Sequence, residues 1–298
     1  MELGMIGLGR MGLNMTYRLL GGGHAVVACD RSRAPVDEAK AKGARPAASL
    51  PEVVESLRAP RVVWLMIPSG APVDEAIGLL APILERGDLI VDGGNSNWRD
   101  SRRRAKALEE QGIDFVDCGT SGGIWGLELG YCMMLGGSAE AIARIKPALD
   151  TLAPPEGWMH VGPSGAGHFS KMVHNGIEYG MMQSYAEGFE LLEASPFAYD
   201  LAKLSHLWNR GSVVRSWLLE LAERAFEKDP GLHHIRGYVD DSGEGRWTIQ
   251  EAIELGVPTE VLAASLFARF RSRQEDSFRD RVLAALRNEF GGHAVKER

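Results

Sequence analysis

Five polar side chains of different chemical types share one short segment, GAGHFSKMVHNGIEYG. They are Lys171, His174, Asn175, Glu178 and Tyr179. On an α-helix, at about 100° per residue, all five fall on one half of the surface, and the intervening apolar residues and glycines take the other half. An amine, an imidazole, an amide, a carboxylate and a phenol on one face could move protons and hold a small polar ligand. This segment is therefore our first candidate for an active-site helix.

The competing interpretation is a solvent-facing helix, because any surface helix has a polar face opposite an apolar one. Such a face usually carries several Lys, Glu and Arg side chains. This one has a single lysine beside a histidine, an asparagine and a tyrosine. The residue types favour a site, but they leave both interpretations open.

The composition sets the class of protein. The chain has 298 residues, 45% of them apolar and 24% charged, which is typical of a globular protein with one large domain or two ordinary ones. A net charge of -7 argues against a nucleic-acid or anionic-membrane partner. The three cysteines, Cys29, Cys118 and Cys132, have no metal-ligand spacing and suit reduced, buried thiols. Because no signal-peptide pattern and no run of about 18 apolar residues is present, we expect a cytoplasmic protein that binds neither a metal nor a membrane.

The first half of the chain alternates short β-rich runs with helical patterns. This alternation predicts an α/β fold with a parallel, doubly wound sheet of the Rossmann type in residues 1–164. The predicted strands are 2–7, 25–29, 61–67, 88–92, 113–117 and 131–135, and the predicted helices lie near 11–20, 34–42, 50–57, 72–85 and 100–111.

After residue 165 the strand signals vanish, and segments with a 3.6-residue period follow. We therefore predict an all-helical domain for substrate binding and oligomerisation in residues 165–298. The boundary is expected in TLAPPEGWMHVGPSGAG, which is rich in Pro and Gly. The predicted helices are 166–194, 200–209, 212–227, 248–255, 259–273 and 276–289.

A glycine-rich turn follows the first predicted strand. MIGLGRMG supplies Gly7, Gly9 and Gly12 as G-x-G-x-x-G, with Arg10 and Met11 between the last two. The glycines permit a tight turn, the close approach of a pyrophosphate, and close packing of helix and strand. The position of the motif between a strand and a helix predicts a dinucleotide site.

The end of the second strand bears on which dinucleotide is bound. Asp30 could accept the ribose hydroxyls of NAD and would repel a 2′-phosphate. Arg31 and Arg33 follow and could partly offset that repulsion, although they could equally be surface charges. We predict NAD as the preferred cofactor and NADP as one that the site could also take.

Three turns fall at the carboxyl ends of predicted strands, where open α/β sheets bind their ligands. MIPSG contains Met66, whose backbone could lie against the cofactor, and VDGGNSN contains Asn95, whose amide could hold a hydroxyl group. DCGTSGGIWG offers the backbone N–H groups and hydroxyl of Ser121, Gly122 and Gly123. Each could be an ordinary turn, but three in succession favour a ligand site.

Several of these stretches resemble the decarboxylating 6-phosphogluconate dehydrogenases. GLGRMGLNM, VDGGNS and SGG are similar to that family, and GAGHFSKMVHNGIEYG is the most specific match. GEGRWTIQEAIELGVP and FARF resemble its helical domain, and RNEFGGH resembles its C-terminal Arg…His motif. The chain looks like the family's short, bacterial type.

The resemblance implies an enzyme of gluconate metabolism and the pentose phosphate pathway. It would couple reduction of NAD(P) to the oxidative decarboxylation of 6-phosphogluconate to ribulose 5-phosphate, without a metal. Lys171 matches the family's general base and later acid, and Glu178 matches the acid that protonates the enediol. A lysine, with an ordinary pKa of about 10.4, can act as a base near pH 7 only where burial or its neighbours lower that pKa.

The resemblance also implies ligands for each end of the substrate. His174 and Asn175 match ligands of the substrate hydroxyls, Asn95 lies near cofactor and substrate, and Ser121, Gly122 and Gly123 match the loop that holds the carboxylate. The residues matching the family's phosphate ligands are Tyr179, Arg269, Arg287 and His293, the last two coming from a neighbouring subunit. A homodimer or homotetramer with a shared active site is therefore implied.

This chain departs from the common form of the family in two places. Ser242 and Glu244 stand where that form has a Lys and a Thr, and Arg246 replaces a second Lys. The loss of a cation and the gain of a carboxylate leave two alternatives: Arg246 substitutes for the lost cation, or the phosphate is bound more weakly. The Asn-Arg-Thr that the common form uses for NADP begins here with Asp30, which supports NAD.

Two alternatives remain beside this hypothesis. A β-hydroxyacid dehydrogenase acting on a non-phosphorylated hydroxy acid would share the glycine-rich turn. A dinucleotide-binding sensor without catalytic activity would share the fold and would not need Lys171.

Overall fold

The computed structural model describes residues 1–296. The chain divides into two compact units, Met1–His174 and Asn175–Arg298. The first unit is α/β and the second is helical, so the predicted fold class is confirmed. The predicted domain boundary after residue 164 stays a prediction, because the division between the units falls inside one long helix.

Eight strands form one sheet in the first unit. They are β1 (Glu2–Ile6), β2 (Ala25–Cys29), β3 (Arg45–Pro46), β4 (Val62–Leu65), β5 (Leu89–Asp92), β6 (Asp114–Ser121), β7 (Cys132–Gly136) and β8 (Trp158–Gly162). Their order in the sheet is β3-β2-β1-β4-β5-β6-β7-β8. Neighbouring strands pair in parallel except β6 and β7, which pair antiparallel. The prediction of a wholly parallel sheet is therefore wrong at that pair.

The antiparallel pair and the unpredicted strands have local explanations. A parallel connection needs a crossover of about a dozen residues or more, and the segment between β6 and β7 contains only one 3₁₀ turn and one short helix. The strand β3 has two residues, too few to show a period. The strand β8 is only partly buried, so it lacks the apolar run that reveals a core strand. It lies inside the stretch that we predicted as a domain boundary.

Helices cover both faces of the sheet. One core contains Met15 and Ile145, and the core on the opposite face contains Val53, Leu80 and Leu108. The helices are α1 (Arg10–Gly21), α2 (Arg33–Ala41), α3 (Leu50–Glu55), α4 (Ala71–Leu80), α5 (Trp98–Glu109), α6 (Gly126–Leu129) and α7 (Ala139–Leu152). We did not predict α7, whose interior proline interrupts the helical pattern in the sequence.

The second unit is built from helices, as predicted. Its small core contains Phe189, Leu219 and Phe226, with the rings of Phe189 and Phe226 packed edge to face at 4.9 Å. No helix in residues 1–296 is both long and apolar enough to cross a membrane. The helices are α8 (Ala166–Glu193), which begins in the first unit, α9 (Leu201–Trp208), α10 (Trp217–Lys228), α11 (Glu244–Leu255), α12 (Glu260–Ser272) and α13 (Phe278–Gly291).

The three cysteines are free, and one of them differs from our expectation. Cys29 and Cys118 are buried, whereas Cys132 is exposed at the first position of β7. Burial raises the pKa of Cys118 to about 12.

A buried carboxylate at β6 holds the start of α8. The side chain of Asp117 accepts hydrogen bonds from the backbone N–H of Gly165 at 2.5 Å and of His168 at 2.8 Å. The first N–H groups of a helix have no partner within the helix, and a negative charge is favoured at that end. Burial raises the pKa of Asp117, and its contacts with His168 and Gly165 oppose that shift. Sequence reasoning did not identify Asp117, although it lies in the quoted DCGTSGG stretch.

Two glycines let α8 lie directly against the sheet. A Cβ atom on Gly119 would lie 2.5 Å from the Cβ of Lys171 and 2.7 Å from the carbonyl oxygen of Gly167. A Cβ atom on Gly167 would lie 2.4 Å from the carbonyl oxygen of Met134. All three distances are shorter than van der Waals contact, so any side chain there would push α8 away from the sheet. The close approach places Lys171 directly over β6.

We expect Gly119→Ala to reduce the free energy of unfolding by about 1–3 kcal/mol, because the added methyl group overpacks the contact with Lys171. Gly78→Ala is the matched control, since Gly78 lies in α4 with nothing within 4 Å of an added Cβ. That control should leave stability unchanged or slightly higher. Denaturant titration measures both, and equal stabilities of the two variants would contradict the packing argument.

Candidate active site

The glycine-rich turn between β1 and α1 packs closely at Gly7 and Gly12 and leaves free space beside Gly9. Gly7 has a φ of +91°, and a Cβ atom on Gly12 would lie 2.0 Å from the carbonyl oxygen of Gly7. At Gly9, by contrast, an added Cβ would meet nothing within 4 Å. In the described chain, no side chain caps the N-terminus of α1 and its first turn carries no acidic residue. An exposed backbone at an uncapped helix N-terminus fits the pyrophosphate of a dinucleotide.

Asp30 is fixed beside this turn. Its Oδ2 accepts the backbone N–H of Leu8 at 2.6 Å, and its Oδ1 accepts that of Ser32 at 2.7 Å. The carboxylate thus faces the site with lone pairs left for two ribose hydroxyls. Arg31 instead has a side chain that is 86% exposed and pairs with Glu75 at 3.4 Å, which is typical of a surface charge.

The remaining cofactor candidates surround the same turn. Met66 follows β4, and its carbonyl oxygen would lie 2.4 Å from a Cβ on Gly7. Its sulfur would lie 2.6 Å from a Cβ on Gly93, in the turn after β5. Arg10 is exposed and Met11 is half-buried in the first turn of α1. The structure therefore brings the turn after β4 against the glycine-rich turn. The contact of the Met66 backbone with the cofactor stays a prediction.

Asn95 connects two of the strand-end turns. Its Oδ1 accepts the backbone N–H of Thr120 at 2.8 Å, and its Nδ2 donates to the carbonyl of Thr120 at 3.0 Å. The residue has a φ of +54°, a backbone conformation that asparagine tolerates better than most residues. Its amide therefore holds the turn after β5 against the end of β6, one residue before Ser121.

The loop after β6 presents backbone groups. Gly122 and Gly123 have φ values of +126° and +53°, which other residues rarely adopt. Asn14 and Arg18 of α1 donate to carbonyl oxygens in the following segment, at 3.3 Å and 3.0 Å. The loop is thus tied to the helix that begins at the dinucleotide turn. Successive N–H groups in such a loop suit a carboxylate.

A buried arginine, Arg104, links the turns after β4 and β5, and the sequence analysis did not identify it. Arg104 is buried and donates to Asp92 at 3.2 Å, to Asp74 at 2.8 Å and to the carbonyl of Gly70 at 3.0 Å. The hydrogen bond from Arg104 lowers the pKa of Asp74. Arg104 lies in the charged run RRRAK, which is typical of a solvated helix face. No sequence signal distinguished this buried arginine from its exposed neighbours.

The polar side chains of the α8 segment are not fully exposed. On the opposite half of the helix Met172 is 3% exposed, whereas Ile177 is 51% exposed and Met181 is 39% exposed. A solvent-facing helix would expose its polar side chains, so their burial favours the interpretation as a site. The polar side chains are buried at Lys171 and Tyr179 and half-buried at His174, Asn175 and Glu178.

In the first unit, Lys171 lies beside His174. The Lys171 Nζ is 3.4 Å from the His174 Nδ1, and the lysine is 5% exposed. The burial that a base role requires is therefore present. An imidazole at that distance can accept a hydrogen bond from the amine.

In the second unit, Tyr179 packs against α11 and α12. A Cβ atom on Gly245 would lie 2.6 Å from its ring, and the Arg269 guanidinium carbon lies 3.5 Å from the ring centroid. The phenol oxygen accepts the backbone N–H of Ser242 at 3.0 Å and lies 3.2 Å from the Ser242 Oγ. Two of the predicted phosphate ligands, Tyr179 and Arg269, are thus brought together.

The residues that depart from the common form occupy the same region. Arg246 makes two hydrogen bonds to the Asp241 carboxylate, at 2.6 Å and 3.1 Å, and Arg273 pairs with Asp241 at 2.9 Å. These contacts lower the pKa of Asp241, with the Arg246 bond as the largest cause. Glu244 is buried and accepts a hydrogen bond from the Ser242 Oγ at 2.5 Å.

The other two predicted phosphate ligands lie near the C-terminus. Arg287 is exposed on α13, and His293 is exposed just beyond that helix. In the single chain, α13 has no buried residue, and its apolar side chains Phe278, Leu286 and Phe290 are 73%, 59% and 95% exposed.

Comparisons with known proteins identify the family of this chain. Residues 2–162 match the profile described as the NAD binding domain of 6-phosphogluconate dehydrogenase, and residues 167–296 match that of the 6-phosphogluconate dehydrogenase C-terminal domain. A Bacillus subtilis protein named putative 6-phosphogluconate dehydrogenase YqeC is 46% identical over 298 residues, which is 100% of both chains. An NAD(+)-dependent, decarboxylating 6-phosphogluconate dehydrogenase of Haloferax volcanii is 46% identical over 99% of this chain and 98% of its own.

A solved structure extends the comparison to the fold. The Plasmodium falciparum 6-phosphogluconate dehydrogenase superposes with a TM-score of 0.84 at 30% identity, covering 100% of this chain and 66% of that one. This chain therefore spans about two thirds of the length of that enzyme. A Mycobacterium tuberculosis 3-hydroxyisobutyrate dehydrogenase shares the fold, with a TM-score of 0.69 at 22% identity. The chain belongs to the 6-phosphogluconate dehydrogenase family of oxidoreductases.

Proposed function

We propose that this protein catalyses the NAD-dependent oxidative decarboxylation of 6-phosphogluconate to ribulose 5-phosphate and CO2. The observation that carries the proposal is the burial of the Lys171 side chain, whose Cβ lies against Gly119, two residues before Ser121. The printed activity of the Haloferax volcanii relative supports the same reaction.

Two residues of α8 would handle the protons. Lys171 takes the proton of the C3 hydroxyl as that carbon is oxidised, and a bound nicotinamide supplies the hydride acceptor. The resulting β-keto acid loses CO2 while Lys171 returns its proton to the C3 oxygen, which gives an enediol. Glu178, two turns further along α8, then donates a proton to substrate C2, which is C1 of the product, while Lys171 takes back the enediol proton and leaves the ketone.

Residues of α8 and of the turns after β5 and β6 would bind the carboxylate and the hydroxyls of the substrate. The backbone of Ser121, Gly122 and Gly123 would hold the substrate carboxylate, which orients C2 and C3 for the proton transfers. His174 and Asn175, half-buried on the polar face of α8, would hold the hydroxyls. Asn95 supports this end by fixing the backbone of Thr120.

We expect Lys171→Met to lower kcat for 6-phosphogluconate by about 10²–10⁴-fold, because general base catalysis typically contributes that much. Lys146→Met is the control, since it removes a lysine with a 57% exposed side chain from the same unit. NADH formation measures both. Turnover by Lys171→Met at the wild-type rate would support a binding protein rather than this enzyme, and wild-type activity on 3-hydroxyisobutyrate alone would contradict the substrate.

For the cofactor, we propose NAD as preferred and NADP as a second acceptor, held by Gly7, Gly9, Gly12 and the backbone around Met66. The fixed carboxylate of Asp30 supports this preference, because it would accept ribose hydroxyls and repel a 2′-phosphate.

We expect Asp30→Asn to lower the ratio of kcat/KM for NAD to kcat/KM for NADP by about tenfold or more, because a repulsive charge is lost while the side-chain shape is kept. Glu55→Gln, an exposed residue of α3 in the same unit, controls for the change in net charge. An unchanged ratio in Asp30→Asn would show that this carboxylate does not select the cofactor.

We also propose a homo-oligomer in which Arg287 and His293 complete the site of a neighbouring subunit. The exposed apolar side chains of α13 support this arrangement, because a helix without buried residues needs a partner to cover them.

A complementation assay tests the shared site. Arg287→Ala and Lys171→Met should each be inactive alone, and co-expression of the two should restore activity. A mixed oligomer would contain one site with both Lys171 and the partner's Arg287. Hybrids that form but stay inactive would show that each chain supplies its own C-terminal residues.

A further inference from the structure

Asp241 has a buried carboxylate that lies between arginines from two different helices. Its side chain is 3% exposed. Arg246 of α11 donates to both carboxylate oxygens, at 2.6 Å and 3.1 Å, and Arg273, the residue after α12, pairs with Oδ1 at 2.9 Å. Both guanidinium groups also lie over the ring of Phe270, at 4.5 Å and 5.2 Å from its centroid. Asp241 therefore joins α11 to the end of α12.

The residues on either side of Asp241 hold two of the predicted phosphate ligands. The carbonyl oxygen of Asp240 accepts a hydrogen bond from Arg269 at 2.9 Å. The backbone N–H of Ser242 donates to the phenol oxygen of Tyr179 at 3.0 Å. The Arg269 guanidinium carbon in turn lies 3.5 Å from the centroid of the Tyr179 ring. Because consecutive residues are joined by planar peptide bonds, a shift of Asp241 would move both contacts.

We propose that Asp241 is a positioning residue for the phosphate end of the substrate, because it fixes the segment that holds Arg269 and Tyr179. An arginine binds phosphate through a planar fork of N–H groups, so its affinity depends on how that fork is oriented and held. Asp241 acts through these two residues and does not itself bind the substrate. The inference rests on the proposed function in taking Arg269 and Tyr179 as ligands of the 6-phosphogluconate phosphate.

The negative charge of Asp241 acts in the opposite direction to its positioning role. The segment 240–246 and its two arginine partners on α12 carry the cations Arg246, Arg269 and Arg273 and the anions Asp240, Asp241 and Glu244. The proposed oligomer adds Arg287 and His293 of a neighbouring subunit. Removing one of the anions makes this end of the site more positive, which by Coulomb attraction alone would tighten the binding of a phosphate. Loss of the fixed fork would weaken that binding, so the sign of the change in Kd separates the two effects.

The test measures binding of 6-phosphogluconate to the wild-type protein and to Asp241→Asn by titration calorimetry, with kcat and KM in parallel. Asparagine keeps the shape of the side chain but is a weaker partner for two guanidinium groups. We expect Kd for 6-phosphogluconate to rise by about tenfold, because a charge-assisted contact with the phosphate is misplaced. The kcat should stay unchanged, because the phosphate contact is made equally in the ground state and the transition state.

Glu275→Gln is the matched control. It removes one negative charge close to Arg273 in the sequence, from a side chain that is 82% exposed and pairs with the exposed Arg236. Because a pair of exposed side chains contributes little, this variant should leave Kd for 6-phosphogluconate unchanged. A rise as large as that in Asp241→Asn would show that the effect is not specific to Asp241 and would overturn the inference.

A second variant keeps the charge and tests position alone. Arg273→Lys leaves a cation beside Asp241 but loses the planar fork that pairs with the carboxylate and lies over Phe270. We expect it to raise Kd for 6-phosphogluconate by about threefold. The effect is smaller than that of Asp241→Asn because Arg246 still holds the carboxylate through two hydrogen bonds. If thermal unfolding shows that Asp241→Asn does not fold, Arg273→Lys decides the question.

A double-mutant cycle identifies the group through which Asp241 acts. Arg269→Met removes the guanidinium that is taken as the phosphate ligand. In the double variant, Asp241→Asn should then cause little further rise in Kd, because the group that it positions is already absent. Effects of the two substitutions that multiply in full would show that Asp241 does not act through Arg269 and would overturn the inference.

The outcomes separate this inference from the proposed reaction. Unchanged or lower Kd in folded Asp241→Asn and Arg273→Lys, with normal turnover of 6-phosphogluconate, would overturn the role of Asp241 and leave the reaction standing. A raised Kd in these variants, with no turnover by the wild-type protein, would support Asp241 and contradict the reaction. Failure of the wild-type protein to bind 6-phosphogluconate would overturn both.

Discussion

The buried carboxylate of Asp117 accepts two N–H groups at the start of α8, and the position of Lys171 depends on that contact. A helix is stiff over several turns, so fixing its first turn fixes the residues that follow. The glycines at 119 and 167 then let the backbone of α8 approach the sheet to a distance that no side chain would allow. The Cβ of Lys171 is thereby held against Gly119 of β6.

The strand-end turns are organised by a second set of buried polar contacts. Arg104 joins three of the surrounding elements, and the amide of Asn95 pairs with the backbone of Thr120. Burying an unpaired charge or amide is costly, so such groups stabilise one arrangement only when all their partners are in place. These contacts make the loops rigid before any ligand binds, which lowers the entropy cost of orienting a substrate.

Different kinds of contact position Lys171 in the first unit and Tyr179 in the second. In the first unit, steric contact between glycines and backbone sets the position of Lys171. In the second unit, hydrogen bonds run from Tyr179 through Ser242 to Glu244 and hold the phenol of Tyr179 in place.

The sequence by itself determined the alternation of strands and helices, the glycine-rich turn and the grouping of polar residues on α8, because periodicity and turn chemistry are local properties. It did not reveal the antiparallel β6–β7 pair, the buried Arg104 or the Asp117 contact. Each of these joins residues far apart in the chain or depends on how a short connection folds back. The residue types also could not show that the polar side chains of Lys171 and Tyr179 are buried. Only the tertiary structure decides which long-range partner each polar group meets, since burial and pairing depend on elements that local patterns do not describe.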